Sequence, residues 1–180
     1  MPKNSTIVAL LADTHGHLDP RVRDIALGAS VVVHAGDIGG AAILEALGTA
    51  GARVVAVAGN NDTLRHWPAD ERDTLDALPK CARLELPGGL LMVEHGHRFA
   101  AKNRHARLRR AWPEAAAIVC AHSHRRVCDF TRIPWVLNPG ACGRSRAHGG
   151  PGCLLLHAAP DGWRVDEFRF DPLPRARHRR

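Results

Sequence analysis

Five short apolar runs, each broken off by a polar cluster of Asp, Asn or His, constrain most strongly what this chain can fold into. Residues 6–12 (TIVALLA) are rich in β-branched side chains and read as a buried strand that stops at Asp13-Thr14-His15-Gly16-His17. Residues 31–35 (VVVHA) stop at Gly36-Asp37, and residues 53–58 (RVVAVA) at Gly59-Asn60-Asn61-Asp62. Residues 90–94 (LLMVE) lead into His95-Gly96-His97, and residues 117–121 (AIVCA) into His122-Ser123-His124. Between the first three runs the apolar spacing changes to that of a helix. Asp19-Pro20 supplies an N-cap and a first helical residue ahead of Val22, Ile25, Ala26 and Ala29. Residues 41–47 carry Ile43, Leu44 and Leu47. The β-α-β-α-β order predicts a parallel sheet with right-handed crossovers.

After a polar connection over residues 62–80, with one helical turn near 71–78, the character changes. Residues 83–86, the turn Pro87-Gly88-Gly89 and residues 90–94 read as a hairpin. Residues 104–112 form a basic helix stopped by Pro113. Further strands are predicted at 126–130, 133–137, 152–157 and 164–170, so the second half is expected to be mainly antiparallel. Nine or so strands are too many for one open sheet with this little helix. The expected architecture is α/β, with two mixed sheets packed as a sandwich and helices on the outside.

A chain of 180 residues fits one domain, placed at 1–170, with a basic tail at 171–180 expected to be disordered. The 45% hydrophobic and 24% charged content excludes a disordered or collagen-like chain. Five cysteines, with no C-x-x-C pair, argue against a disulfide framework or a thiolate zinc site and for a reducing cytoplasm. No apolar stretch approaches the ~20 residues of a membrane span. The formal charge of +7 comes from Arg, concentrated between Arg104 and Arg110 and at Arg175, Arg177, Arg179 and Arg180. Such runs admit nucleic acid as a partner. With no Tyr and only four Phe to stack bases, they are read instead as a solvated face. A homo-oligomer is compatible with the composition.

The strand ends carry the chemistry. Asp13, His15, Asp37, Asn60, His95, His122 and His124 offer two carboxylates, one amide oxygen and four imidazoles. In open α/β sheets ligands bind beyond the carboxyl ends of the strands, so these groups are expected to converge on one edge if the strands share a sheet. Seven donors exceed the needs of one tetrahedral zinc and suit two divalent cations sharing a carboxylate. Oxygen and imidazole donors without thiolate point to Mn²⁺, with Ni²⁺, Fe²⁺ and Zn²⁺ as alternatives. His34, His66, His105, His148, His157 and His178 lie outside this pattern and are read as structural or surface residues.

The succession D-x-H, G-D, G-N-x-D, H-G-H and H-x-H resembles the calcineurin-like metallophosphoesterases. The spellings ADTHGH, HAGDIG, AGNND, VEHGH and NPG are similar to its small bacterial and archaeal phosphodiesterase branch. The likeness runs from Ile7 to about Arg146. It implies a two-sheet sandwich and a phosphoester substrate. It also implies one metal on Asp13, His15, Asp37 and His124, and another on Asp37, Asn60, His95 and His122, with Asp37 bridging. A hydroxide held between them would attack phosphorus in line. One eukaryotic relative of this branch, the small retromer subunit, uses the fold to bind proteins. A non-catalytic scaffold is therefore the alternative reading.

Three positions depart from the broader pattern. Asn61 stands where larger members have a His that assists the leaving group, and His17 or His97 is the candidate replacement acid. Ala121 replaces the usual Gly before H-x-H, and Ala141 the usual Ser after N-P-G. Asn61, Arg144 and Arg146 are the candidate substrate contacts.

Overall fold

The computed structural model describes residues 5–144 and 146–172. The first sheet is built from β1 (Thr6–Leu11), β2 (Val31–His34), β3 (Arg53–Ala56), β9 (Gly152–Ala159) and β10 (Gly162–Arg169), in the order β10-β9-β1-β2-β3. The second contains β4 (Cys81–Leu86), β5 (Gly89–Glu94), β6 (Ala117–Cys120), β7 (Val127–Asp129) and β8 (Trp135–Asn138), in the order β4-β5-β6-β8-β7. Helices α1 (Pro20–Ala26) and α2 (Ala41–Gly48) connect β1, β2 and β3. A short helix α3 (Arg72–Asp76) precedes β4, and α4 (Arg104–Ala111) links β5 to β6.

Alternation along each strand explains the layers. Val8 and Leu10 of β1, Val31 and Val33 of β2, Leu91 and Val93 of β5, and Ala117 and Val119 of β6 meet in one core between the sheets. The intervening Ala9, Leu11 and Val32 face α1 and α2. Leu90, Met92, Ile118 and Cys120 turn the other way, onto Leu108 of α4. Strands buried on both faces read as unbroken apolar runs, which is what residues 6–12 and 31–35 show. Asp19 caps α1 as expected, its side chain accepting from the Arg21 N–H, with Pro20 in the first turn.

The predicted α/β sandwich with helices outside is the observed fold. The second half is mainly antiparallel as expected, in the pairs β4–β5, β7–β8, β9–β10 and β1–β9. The middle of the second sheet is parallel, because β5, β6 and β8 run together and only β4 and β7 oppose them. The α4 crossover carries the chain from β5 to a parallel β6, and β7 is displaced to the edge so that β8 can pair with β6. One expectation about the strands is corrected: the donor-bearing strands do not share one sheet. β1, β2 and β3 belong to the first and β5 and β6 to the second, so the donor loops meet across the end of the sandwich.

Of the expected disordered tail, residues 173–180 lie outside the described residues, and Asp171 and Pro172 have no regular structure. All five cysteines are free. Among the described residues no helix is long and apolar enough to cross a membrane.

Candidate metal centre

The loops after β1, β2 and β6 turn too sharply for ordinary backbone. Asp13, His15, Asp37, His122 and His124 all have positive φ, between 47° and 69°. That conformation is uncommon for residues other than glycine and costs roughly 1–3 kcal/mol each where the surroundings enforce it. Here the enforcement is visible. The Asp62 carboxylate accepts hydrogen bonds from the N–H groups of Asp37, Ile38 and Gly59 at 2.8 Å and from the Trp67 indole at 2.8 Å. Gly59 is required beneath it, since a Cβ there would lie 2.2 Å from Asp37 Oδ1. Thr14 donates to the Ile38 carbonyl at 2.8 Å and contacts His34 Nε2 at 2.9 Å, joining the β1 and β2 loops. Asn138, at the start of N-P-G, donates to the Ala121 carbonyl at 3.1 Å and so ties down the loop carrying His122 and His124.

These loops bring the donors together in two groups. Asp13, His15, Asp37 and His124 offer ligand atoms within 4.8 Å of one another, as do Asp37, His95 and His122. Asp37 belongs to both. Asn60 joins the second group, its Oδ1 lying 3.2 Å from His95 Nε2. His15 and His124 stack with ring centroids 5.1 Å apart, and their Nε2 atoms are 3.3 Å apart. His95 Nδ1 is 2.8 Å from the Ala35 carbonyl, to which it donates. That bond leaves Nε2 directed at the centre, the arrangement in which a metal-binding histidine is usually held.

The electrostatics suit a cation. Both carboxylate oxygens of Asp13 are buried without a hydrogen-bond partner among the described residues. His124 Nε2 stands 3.5 Å from Oδ1, and a buried carboxylate so weakly satisfied is costly unless a cation or proton completes it. Burial accordingly raises the Asp13 carboxyl to about 7. Burial also pushes the Asp37 carboxyl up, but the hydrogen bonds from His95 and Asn61 outweigh it and hold the group below the usual carboxylate range. Burial lowers His15 and His122, keeping both imidazoles neutral and available as ligands. His34, read as structural, is fully buried and lowered to about 4 by that burial. The residues present therefore fit divalent metal.

The remaining predicted residues separate by position. Asn61 donates from its backbone N–H to Asp37 Oδ1 at 2.8 Å and from its side chain to Oδ2 at 2.7 Å. Arg146 Nη2 lies 3.2 Å from His124 Nε2. His97 sits beside the second group, its ring 5.4 Å from that of His95 and 6.3 Å from that of His122. A cavity of about 300 Å³ opens over the first group, lined by His15, Asp37, Gly39, Asn61, His66 and Arg146. Neither His17 nor Arg144 lines it. The His17 imidazole is lowered by burial and then by the charge of Arg144. His66, read from sequence as a surface residue, is exposed and forms one wall, its Nδ1 3.1 Å from Thr63 Oγ1. Asp62 was visible in the G-N-x-D spelling, but nothing in a linear pattern marks it as the clamp on the Asp37 loop.

A two-sheet sandwich whose end loops carry groups able to hold metal is a metallophosphoesterase-like arrangement. A family model described as the calcineurin-like phosphoesterase superfamily domain matches residues 7–161, and the chain belongs to that superfamily. No curated protein matches it significantly in sequence. Among solved structures it is similar to an archaeal phosphodiesterase, with 20% identity over 90% of this chain and 99% of the other at a TM-score of 0.70. A predicted phosphoesterase from Streptococcus pneumoniae has 20% identity over 92% of this chain and 90% of its own, at a TM-score of 0.66. A single mutant of Vps29 from Entamoeba histolytica has 16% identity over 92% and 99% of the two chains, at a TM-score of 0.71. At such identities these likenesses establish a shared fold.

Proposed function

We propose that the chain is a metal-dependent phosphodiesterase that holds two divalent cations, Mn²⁺ foremost, on the two donor groups joined by Asp37. One observation carries the reading: seven donors from both sheets converge on a buried Asp13 carboxylate that accepts no full hydrogen bond among the described residues, His124 Nε2 standing 3.5 Å away. A scaffold has no need of that costly group, and the protein-binding alternative leaves it unexplained. Reducing surroundings such as the cytoplasm suit the five free cysteines.

When bound, the cations supply Lewis-acid polarisation of the phosphoryl oxygens and an activated water near neutral pH. The protein groups do the rest. Asn61 fixes both oxygens of Asp37 and so orients the shared ligand. Arg146 reaches into the cavity, where its guanidinium faces the place a phosphoryl oxygen would take. Asn61 cannot donate a proton as an acid. His66 across the cavity and His97 beside the second group are the imidazoles nearest the departing oxygen in this reading, and the half-buried His17, which does not line the cavity, is less well placed. Among the described residues Arg146 is the guanidinium lining the cavity, and a singly charged diester asks for less neutralisation beside the cations than a doubly charged monoester.

The test is elemental analysis of Mn²⁺-loaded protein together with hydrolysis of bis(4-nitrophenyl) phosphate and 4-nitrophenyl phosphate. Two cations per chain and faster cleavage of the diester are expected. A reproducible single metal under saturation overturns the dinuclear assignment, and a metal-loaded protein inert to both esters overturns the enzyme.

A further inference from the structure

We infer that the metal centre continues into a basic channel along α4 that seats the backbone of single-stranded nucleic acid. The channel is a cleft of about 870 Å³, and its walls include Arg104, His105, Arg109, Arg110, Ser123 and Arg132. It adjoins the loop that carries two of the donors, since Ser123 in its wall lies between His122 and His124 in sequence. The Arg104 stem also passes the H-G-H loop, 3.9 Å from where a Cβ on Gly96 would sit.

The charge of this cleft is unbalanced. Asp129 is the acid beside it, and it is already engaged by Arg109 at 3.0 Å and His105 at 2.7 Å. Arg104 spends its Nε on the Phe99 carbonyl at 3.1 Å, which leaves its charge unneutralised. Arg110 and Arg132 are exposed and have no hydrogen-bond or ion-pair partner among the described residues. Four guanidinium groups thus stand against one carboxylate, leaving three unneutralised charges in a concave surface. A solvated helix face, the reading that composition favoured, does not require its cations to line a cleft or that cleft to share a wall with a donor loop. Arg107 of the same helix behaves as that reading expects: it is exposed and lies outside the cleft.

The identity of the ligand rests on the phosphodiesterase reading. A polyanion that offers a phosphodiester to the metals and further phosphates to the channel is a nucleic-acid strand. Acidic peptides contain no phosphoester, and inorganic polyphosphate contains anhydrides instead. A single strand fits because Asp13, Asp37 and His95 are at most 1% exposed, so the reacting phosphate must descend between walls that a duplex cannot enter.

Fluorescence anisotropy of a labelled ten-nucleotide oligothymidylate, with EDTA-treated full-length protein over a salt series, tests the channel without cleavage. Three phosphate contacts on a single strand give a log–log slope of about −2. Arg110→Ala/Arg132→Ala should weaken binding roughly tenfold and flatten the slope by about 1.4. Arg107→Ala, a control that removes one exposed arginine of the same helix from outside the cleft, should change affinity less than twofold, and a blunt ten-base-pair duplex should compete poorly. The same Mn²⁺-loaded proteins are assayed on bis(4-nitrophenyl) phosphate, which is too small to reach Arg110 or Arg132, so the double variant should lose activity only on oligonucleotide. Cleavage of the small diester without oligonucleotide binding overturns the channel alone. An equal loss in Arg107→Ala, or equal competition by duplex, also overturns it. Oligonucleotide binding by a protein inert to every diester overturns the substrate assignment together with the phosphodiesterase reading.

Discussion

The two donor groups share Asp37 but are built differently. All four members of the first, Asp13, His15, Asp37 and His124, hold positive φ, and the group carries two carboxylates. In the second, only His122 and the shared Asp37 are so constrained, and the fourth donor is the amide of the exposed Asn60. Backbone strain and buried charge are thus concentrated in the first group, where the clamp from Asp62 and the bond from Thr14 hold the loops together. The second keeps one carboxylate and an open side. The difference predicts one tight and one weaker cation site, and each experiment below breaks or sharpens that contrast.

The largest effect is expected at the shared residue. Asp37→Asn removes a charged ligand from both groups at once. A loss of several kcal/mol of electrostatic stabilisation corresponds to a fall in diesterase activity of roughly 10³-fold or more at limiting metal. His124→Ala should weaken the first site and leave binding at the second measurable by calorimetry. Near wild-type turnover in Asp37→Asn at limiting metal would show that the two groups do not depend on a common ligand.

Next comes the buried Asp13 carboxylate of the first group. Burial raises Asp13 from 3.8 to about 7, so between those values the folded, metal-free protein holds a proton that the unfolded chain has lost. Stability must then fall as pH rises through that window, by about 4 kcal/mol at most for such a shift. Urea unfolding in EDTA should show this fall in wild type, a flatter profile in Asp13→Asn, and recovery of the wild type at pH 7 when Mn²⁺ is added. Parallel profiles for the two proteins would remove Asp13 as the origin of the metal requirement.

The third effect asks from which side the leaving group departs. His66 walls the cavity over the first group, and His97 adjoins the second. General acid catalysis typically contributes 10²–10⁴-fold. The histidine that supplies the proton should, when changed to Ala, lose about 10²-fold on an alkyl diester and little on a diester with a low-pKa phenol. His66→Ala is expected to show this selectivity and His17→Ala to show none. Selective loss in His97→Ala would move the departing oxygen to the second group. A rate independent of leaving-group pKa in all three would mean that no side chain protonates it.

What was legible beforehand follows a similar division. The donors were readable because each ends an apolar run, and loops at strand ends are where α/β folds place ligands. Their sorting between two sheets was not readable. It depends on β5 and β6 pairing with each other and with β4 and β8, and not with β3, contacts between segments whose local sequence looks like any short strand. His66 and the α4 cleft escaped for the same reason. His66 sits six residues beyond Asn60 in a polar connection, and Arg132 reaches the cleft from the loop between β7 and β8, whereas Arg104 and Arg110 belong to α4. Residues that act by where the fold brings them leave no periodicity to read.

The smallest effect bears most directly on the contrast between the two groups. If the second site is weak because its fourth donor is neutral, Asn60→Asp should strengthen it. Cation affinity in oxygen-rich sites is tuned by the number of charged ligands, and one added carboxylate near a divalent ion is expected to gain roughly tenfold. The first site should not respond, because Asn60 belongs only to the group around His95. Titration calorimetry with Mn²⁺ should therefore show two phases in wild type that draw together in Asn60→Asp through movement of the weaker phase alone. The added charge must also be weighed against Asp37, whose carboxylate it would face before metal enters. That repulsion makes the metal-free variant less stable than wild type at neutral pH, and Mn²⁺ should raise its melting temperature by more. A variant whose weaker phase stays where it was, with unchanged response to metal, would mean that Asn60 is not a ligand and that the openness of the second group has another cause.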